Sequence, residues 1–226
     1  MLVAIDGPAG SGKSSVARAV AGRLGLANLN TGATYRAVAL VALREGVDLQ
    51  DGGALGAIGD GVDLAPRGVF YGGERLSEDA LRTPEVSAAA SKVSAHPQLR
   101  RVLVERQRAA ARKAQASGGA VVEGRDIGTV VLPEAELKVF LSASPEERAR
   151  RRALQTGREG ELERIRRAMQ ERDKRDSERE ASPLERAPDA VVLDTTSLSL
   201  EGVVSCVVEL AGQAQNAAPQ RTPRGA

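Results

Sequence analysis

Apolar positions along the chain alternate between short continuous runs and helical spacing. Leu2-Val3-Ala4-Ile5 is an apolar run that ends at Asp6 and a glycine-rich turn, and from Lys13 to Leu24 the residues Val16, Ala17, Val20 and Leu24 recur at helical intervals. This predicts strand, loop and helix. Ala27 to Asn30 reads as a second short strand, and Thr31 to Glu45 carries Val38, Leu40, Val41 and Leu43 on a helix that Gly46 can cap. Residues 47 to 61, rich in Gly and Asp, are expected to be only weakly helical. Val62-Asp63-Leu64 and Val69-Phe70-Tyr71 alternate, with Gly72-Gly73 in hairpin-turn position, and predict a small β insert. Helices are expected from about Pro84 to Ser94 and from Pro97 to about Ala116, the second with proline at its first position.

After the break at Ser117-Gly118-Gly119, Ala120-Val121-Val122 forms a short buried strand ending in Glu123-Gly124-Arg125-Asp126, and Leu137 to Leu141 forms another. Ser144-Pro145-Glu146-Glu147 carries the signature of a helix start. From Arg148 to Glu180 Arg and Glu dominate around the sparse anchors Leu154, Leu162, Ile165 and Met169, which fits two solvated helices split near Thr156-Gly157. A strand at Ala190 to Leu193 and an amphipathic helix at Leu198 to Ala211 follow, and residues 213–226, without periodicity, are expected to be a disordered tail. Strands of four or five residues alternating with helices define an α/β fold, a parallel sheet wrapped by helices with ligands at the carboxyl ends of the strands.

Composition narrows the chemistry. A chain of 226 residues suits one domain, placed at 1–212, and with two Tyr, two Phe and no Trp its core must be aliphatic. An aromatic platform for stacking bases is excluded. Cys206 and His96 each stand alone, which removes disulfides, Cys-rich zinc sites and most His-based metal or triad chemistry. The net charge of +2 is too balanced for a non-specific nucleic-acid coat. Only five of the 32 basic residues are Lys. Arg grips phosphate or carboxylate through a planar fork, so the bias fits an anionic ligand, although a compositional drift of the genome would produce it too. With no basic leader segment and no apolar run of membrane-spanning length, a soluble cytoplasmic protein with no membrane partner is expected.

Gly7-Pro8-Ala9-Gly10-Ser11-Gly12-Lys13-Ser14 matches GxxxxGK[ST] between a strand and a helix, the setting of a phosphate-binding loop. Glycines let backbone N–H groups turn toward a phosphate, the helix N-terminus adds positive charge, Lys13 reaches the β- and γ-phosphates, and the Ser14 hydroxyl can ligate Mg²⁺, with Ser15 next in line. The parallel sheet is therefore expected to be of the P-loop NTPase type. No Asn precedes a Lys, so the guanine-reading Asn-Lys-x-Asp of GTPase switches is missing. Glu123, at the end of its strand, is the candidate second metal ligand, with a solvated strand-end acid as the alternative. Further polar clusters, Thr31 to Arg36, Gly124-Arg125-Asp126 and Arg172 to Asp176 with Arg179, favour phosphoryl transfer between two anions that cations must hold together.

The loop, Asn30-Thr31-Gly32-Ala33-Thr34-Tyr35-Arg36, Glu123-Gly124-Arg125-Asp126-Ile127-Gly128-Thr129-Val130-Val131 and Glu171-Arg172-Asp173-Lys174-Arg175-Asp176 together resemble bacterial cytidylate kinases, over about residues 2 to 212. The resemblance implies a P-loop nucleoside monophosphate kinase that makes CDP from CMP, or the deoxy product from dCMP, using ATP and Mg²⁺. It implies that residues 62–95 form a monophosphate-binding insert and 152–180 a short Arg-rich helical lid. It places Thr31, Ser91, Arg100 and Asp126 against cytosine, Arg36, Arg125 and Arg179 on the CMP phosphate and transferred group, and Arg172 and Asp176 on the pentose. Lys13, Arg36, Arg125 and Arg179 would form the transfer set, Ser14 and Glu123 the metal pair, and Arg151 and Arg152 would lie at the ATP adenine. A monomer acting on nucleotides alone is expected. A kinase of another small acceptor such as UMP, and a non-catalytic nucleotide- or RNA-binding module using residues 148–179, are the alternatives; that stretch lacks aromatics and is nearly balanced in charge.

Overall fold

In the computed structural model, which describes residues 1–217, the elements run β1 (Leu2–Asp6), α1 (Lys13–Leu24), β2 (Ala27–Asn30), α2 (Gly32–Glu45), α3 (Gly52–Asp60), β3 (Val62–Ala65), β4 (Gly68–Tyr71), β5 (Glu74–Arg75), α4 (Glu78–Leu81), α5 (Pro84–Val93), α6 (Pro97–Ala116), β6 (Ala120–Glu123), a π-helical turn (Ile127–Val131), β7 (Leu137–Ser142), α7 (Pro145–Thr156), a 3₁₀ turn (Glu159–Glu161), α8 (Leu162–Glu178), β8 (Val191–Asp194) and α9 (Leu200–Ala217). Five parallel strands form one sheet in the order β2-β6-β1-β7-β8. β1 is central because its run has no polar face to leave outside. Val3 and Ile5 pack with α1 and α9, and Leu2 and Ala4 pack on the other face with α6 and the π-helical turn. The chain leaves β1 for β2 and β6 on one side and then β7 and β8 on the other, so the strand order switches at β1, where an open sheet opens a crevice for ligands.

The 62–95 segment contains the antiparallel sheet β3-β4-β5 with α4 and α5, and it shares an apolar cluster with α2, α3 and the start of α6. Residues 52–60 form a full helix, contrary to the weak helicity expected. Asp51 caps it by accepting from Gly53 N and Ala54 N, and burial of Leu55 and Ile58 outweighs the low propensity of its glycines. In the charged region the split near Gly157 holds, and Ser144 caps α7 as expected by accepting from Glu147 N. Its anchors differ. Leu154 and Leu162 are exposed, and Ala149, Ala153 and Ile165 form the buried seam with Met169 against it. The last helix runs past Ala211 to Ala217, so residues 213–217 are not tail, and the remaining 218–226 lie outside the described residues. Ala214 continues the stripe that packs on the α1 side of the sheet, which extends the helix by a further turn.

Candidate active site

The phosphate loop occupies residues 7–14 between β1 and α1. Gly7 sits at φ 145°, and a Cβ there would overlap the Leu141 carbonyl oxygen, so the loop can cross β7 only with glycine. Lys13 is buried at the first turn of α1, where its Nζ donates to Pro8 O at 2.6 Å and lies 3.4 Å from Ser11 Oγ. Burial, and then the Arg125 charge, hold the ammonium well below its ordinary pKa, against the opposite pull of Glu123 and Asp173. Such a cation is stabilised by an anion arriving between its neighbours. Ser14 Oγ donates to Glu123 Oε2 at 2.8 Å, while Glu123 Oε1 is buried without a partner. A hydroxyl beside an orphaned carboxylate oxygen is a donor set that suits a hard divalent cation. Ser15 follows on α1 and is exposed.

Next to Lys13 stands a second group of cations from three elements. Arg36 on α2 is pushed down in pKa by burial, then by Arg125, Arg82 and Arg152, with Glu123 acting oppositely. Arg172 on α8 is lowered to about 10 by burial and by Arg125 and Arg36, with Asp176 opposing. These guanidiniums repel one another because too few acids separate them. Asp176, buried on α8, is their common counter-ion, 3.1 Å from Arg125 Nε, 3.4 Å from Arg179 Nη1 and 3.9 Å from Arg172 Nε.

Beyond Asp176 the chain of charges continues to Asp126, 3.9 Å from Arg179 Nη2 and 2.7 Å from Arg100 Nη2. Arg100 also donates to Ser94 O at 3.0 Å and lies 5.1 Å from the centre of the Tyr35 ring. Around Asp126, Tyr35 Oη, Arg100 Nε and Arg179 Nη2 are buried without hydrogen-bond partners, a concentration of unused polar atoms. Burial pushes the Tyr35 phenol up to about 12. Thr31 stands at the end of β2, where its hydroxyl donates to Glu123 O at 2.7 Å and leaves lone pairs to accept. The structure thus links Lys13, Ser14, Glu123, Arg36, Arg125, Arg172, Asp176, Arg179, Asp126, Arg100 and Thr31 through successive contacts and fields, while Ser91 on α5 has a buried hydroxyl without a hydrogen-bond partner among the described residues, and so none in this set.

Arg151 and Arg152 part company. Arg151 donates to Glu147 Oε1 and Thr195 Oγ1 at 2.8 and 2.9 Å and lies 3.9 Å from where a Gly12 Cβ would be. Arg152 meets Gln155 on its own helix at 2.9 Å, and burial, Arg158 and Arg82 lower its pKa. Sequence reasoning passed over Asp6. This buried acid accepts from Ile127 N at 2.9 Å and Gly128 N at 2.7 Å, holding the turn that follows Arg125 and Asp126. Its position between an apolar strand and the loop was a usable signal, since a carboxylate there has no water. Tyr35, inside the Asn30–Arg36 motif and stacked near Arg100, carries no signal in sequence beyond that motif.

The fold and loop define a P-loop NTPase-type α/β protein. The family model for cytidylate kinase matches residues 3–213, and the chain belongs to that family of nucleoside monophosphate kinases. It is 48% identical over 218 residues to the cytidylate kinase of Exiguobacterium sibiricum, covering 92% of this chain and 96% of that protein. The cytidylate kinase of Geobacillus thermodenitrificans is 47% identical, covering 94% of this chain and 97% of the relative. A bifunctional pantoate ligase/cytidylate kinase of a Synechococcus strain is 48% identical over 92% of this chain, which spans 40% of that longer protein. Among solved structures, an uncharacterised protein from Eubacterium ventriosum shares the fold with TM-score 0.51 and 12% identity over 94% of this chain and 98% of its own.

Proposed function

We propose that the protein transfers the γ-phosphoryl group of ATP to CMP, and to dCMP, by direct in-line displacement, giving the diphosphate and ADP. The observation that carries this reading is a phosphate loop, with its Ser14–Glu123 pair, opening onto a second set of mutually repelling cations. One set alone would serve a nucleotide-binding module. Two anions brought together repel, and the second set offsets that repulsion.

In the reaction an oxygen of the CMP phosphate forms a bond to the γ-phosphorus as the bond to the β,γ-bridging oxygen breaks, and ADP leaves with that electron pair. The acceptor oxygen is already anionic near neutral pH, so no side chain need remove a proton. Lys13 stabilises charge on the β- and γ-phosphates while backbone N–H groups of residues 10–15 cradle the donor. Arg36, Arg125 and Arg179 hold the acceptor phosphate and the moving group, and Arg172 and Asp176 meet the pentose. Asp126 accepts from the exocyclic amine of cytosine, with Arg100, Ser91 and Thr31 completing the base wall. Ser14 and Glu123 would hold Mg²⁺, which when bound supplies charge neutralisation on the donor phosphates. Arg151, beside Gly12 and Thr195, borders the adenine side, whereas Arg152 lies within the field of Arg36 and Arg82.

Among the described residues no helix is long and apolar enough to cross a membrane. A cytoplasmic monomer acting on free nucleotides is the setting this reading takes. A coupled assay with ATP and each of CMP, dCMP and UMP, with Mg²⁺ and with excess chelator, tests it. CMP and dCMP turnover that exceeds UMP turnover and vanishes with chelator is expected, and preference for UMP or no turnover of CMP would overturn it.

A further inference from the structure

Asp173 belongs to the charged motif on α8 yet points away from the acceptor group. Its Oδ1 accepts from Ala9 N, in the phosphate loop, at 2.9 Å, and its Oδ2 is ion-paired with Arg148 Nη1 on α7. The same Nη1 donates to Ala9 O at 3.0 Å, and Arg148 Nε donates to Ala143 O at 3.1 Å. Both polar groups of one loop residue are therefore held by an acid–base pair from two other elements. One turn before Asp173, Met169 packs over Gly10, where a Cβ would meet Met169 Cε and come within 3.0 Å of Arg148 O. Arg148 and Asp173 are largely shielded, with side-chain exposures of 10% and 16%, so their pairing is little screened by water.

The neighbours of Asp173 give this arrangement a consequence. Arg172 and Asp176 stand on the same helix within one turn, and they belong to the acceptor group. A single helix thus carries contacts to the acceptor side and the latch on the donor loop. We propose that Asp173 and Arg148 are a positioning pair that fixes the Ala9–Gly10 crest of the phosphate loop to α8, so that donor phosphates and acceptor are held at one set separation. The inference rests on the reading of residues 7–14 as the ATP site. Errors of about 1 Å between reacting groups cost on the order of a hundredfold in rate, so a loop freed from α8 should transfer poorly even where it still binds.

The test compares wild type with Asp173→Ala, Asp173→Asn and Arg148→Met by thermal unfolding, ADP titration calorimetry, CMP-dependent turnover and ATP hydrolysis without CMP. In Asp173→Ala, kcat for CMP should fall by about ten- to a hundredfold, with KM for CMP little changed and hydrolysis unaltered, so that a larger share of ATP is lost to water. Asp173→Asn keeps an acceptor for Ala9 N and should recover part of kcat. Arg148→Met with Asp173→Ala should lose little more than either alone. Unchanged kcat in folded Asp173→Ala, or a fall matched by equal loss of hydrolysis, would overturn the proposal. Tighter ADP binding in that variant would also overturn it, because the contact would then be a latch that competes with nucleotide. ADP binding to Lys13→Ala as tight as to wild type would instead sink the ATP-site reading, an outcome independent of Asp173.

Discussion

Asp126 shows how a side chain's environment sets what it can read. Its carboxylate is nearly buried and shared between Arg100 at 2.7 Å and Arg179 at 3.9 Å, and carboxylate oxygens paired with guanidiniums act as hydrogen-bond acceptors. Cytosine presents an amine where uracil presents a carbonyl oxygen, so a carboxylate at that edge attracts one and repels the other. In Asp126→Asn, kcat/KM for CMP is expected to fall about ten- to a hundredfold, with a smaller fall for UMP, because a hydrogen bond to a charged group contributes about 1.5–3 kcal/mol. Steady-state kinetics with both acceptors decides this. If Asp126 only orients Arg100, the CMP:UMP ratio will not move.

At the level of elements, the π-helical turn after β6 depends on a residue 121 positions away from its start. Val131 N bonds Asp126 O at 3.0 Å and Leu132 N bonds Ile127 O at 2.7 Å, which leaves the first N–H groups of the turn for Asp6 to accept. Burial, the largest influence, raises the Asp6 pKa to about 6, against the two backbone hydrogen bonds that lower it. A folded-state value above the unfolded one means that the folded protein binds the extra proton between the two. The contribution is therefore full below pH 3.8 and lost as pH rises through about 6, a range worth about 3 kcal/mol in all. Denaturant unfolding of wild type and Asp6→Asn across that range should show the wild type losing stability relative to the variant as pH rises, then a constant difference. Parallel pH profiles would show that Asp6 does not titrate there.

For the whole molecule, the distribution of charge matters more than its sum. The net charge is only +2, and α8 and the turn before it neutralise themselves through exposed pairs such as Arg158–Glu161 and Arg166–Glu163, which water screens strongly. The cleft does the opposite, gathering Lys13, Arg36, Arg125 and Arg172 in mutual repulsion. Raising salt from about 0.1 M to about 1 M shortens the screening length from about 10 Å to about 3 Å. KM for CMP should rise several-fold over that range with a smaller change in kcat, while filter binding detects no salt-sensitive retention of RNA. A salt-independent KM, or RNA retention that falls with salt, would contradict this distribution of function.

Much of this was legible along the chain, because it is written within a few neighbouring residues. The β1 run, the loop between strand and helix, the hairpin at Gly72-Gly73 and the Ser144 cap each depend on types and spacings inside one short window. The resemblance likewise rested on contiguous motifs. Folding decided what spacing cannot express. Helix α3 exists because Leu55 and Ile58 find a core, and the final helix reaches Ala217 because its apolar stripe continues to meet the sheet. The partners of buried charges were decided there too. Asp173 and Arg148 meet the backbone of Ala9, Asp6 that of Ile127, and Arg100 meets Asp126; the types of these charged residues advertise charge but not distance. Sequence determined which chemistry the chain carries, and tertiary structure determined which charges face each other, since Coulomb and hydrogen-bond energies depend on separation in space.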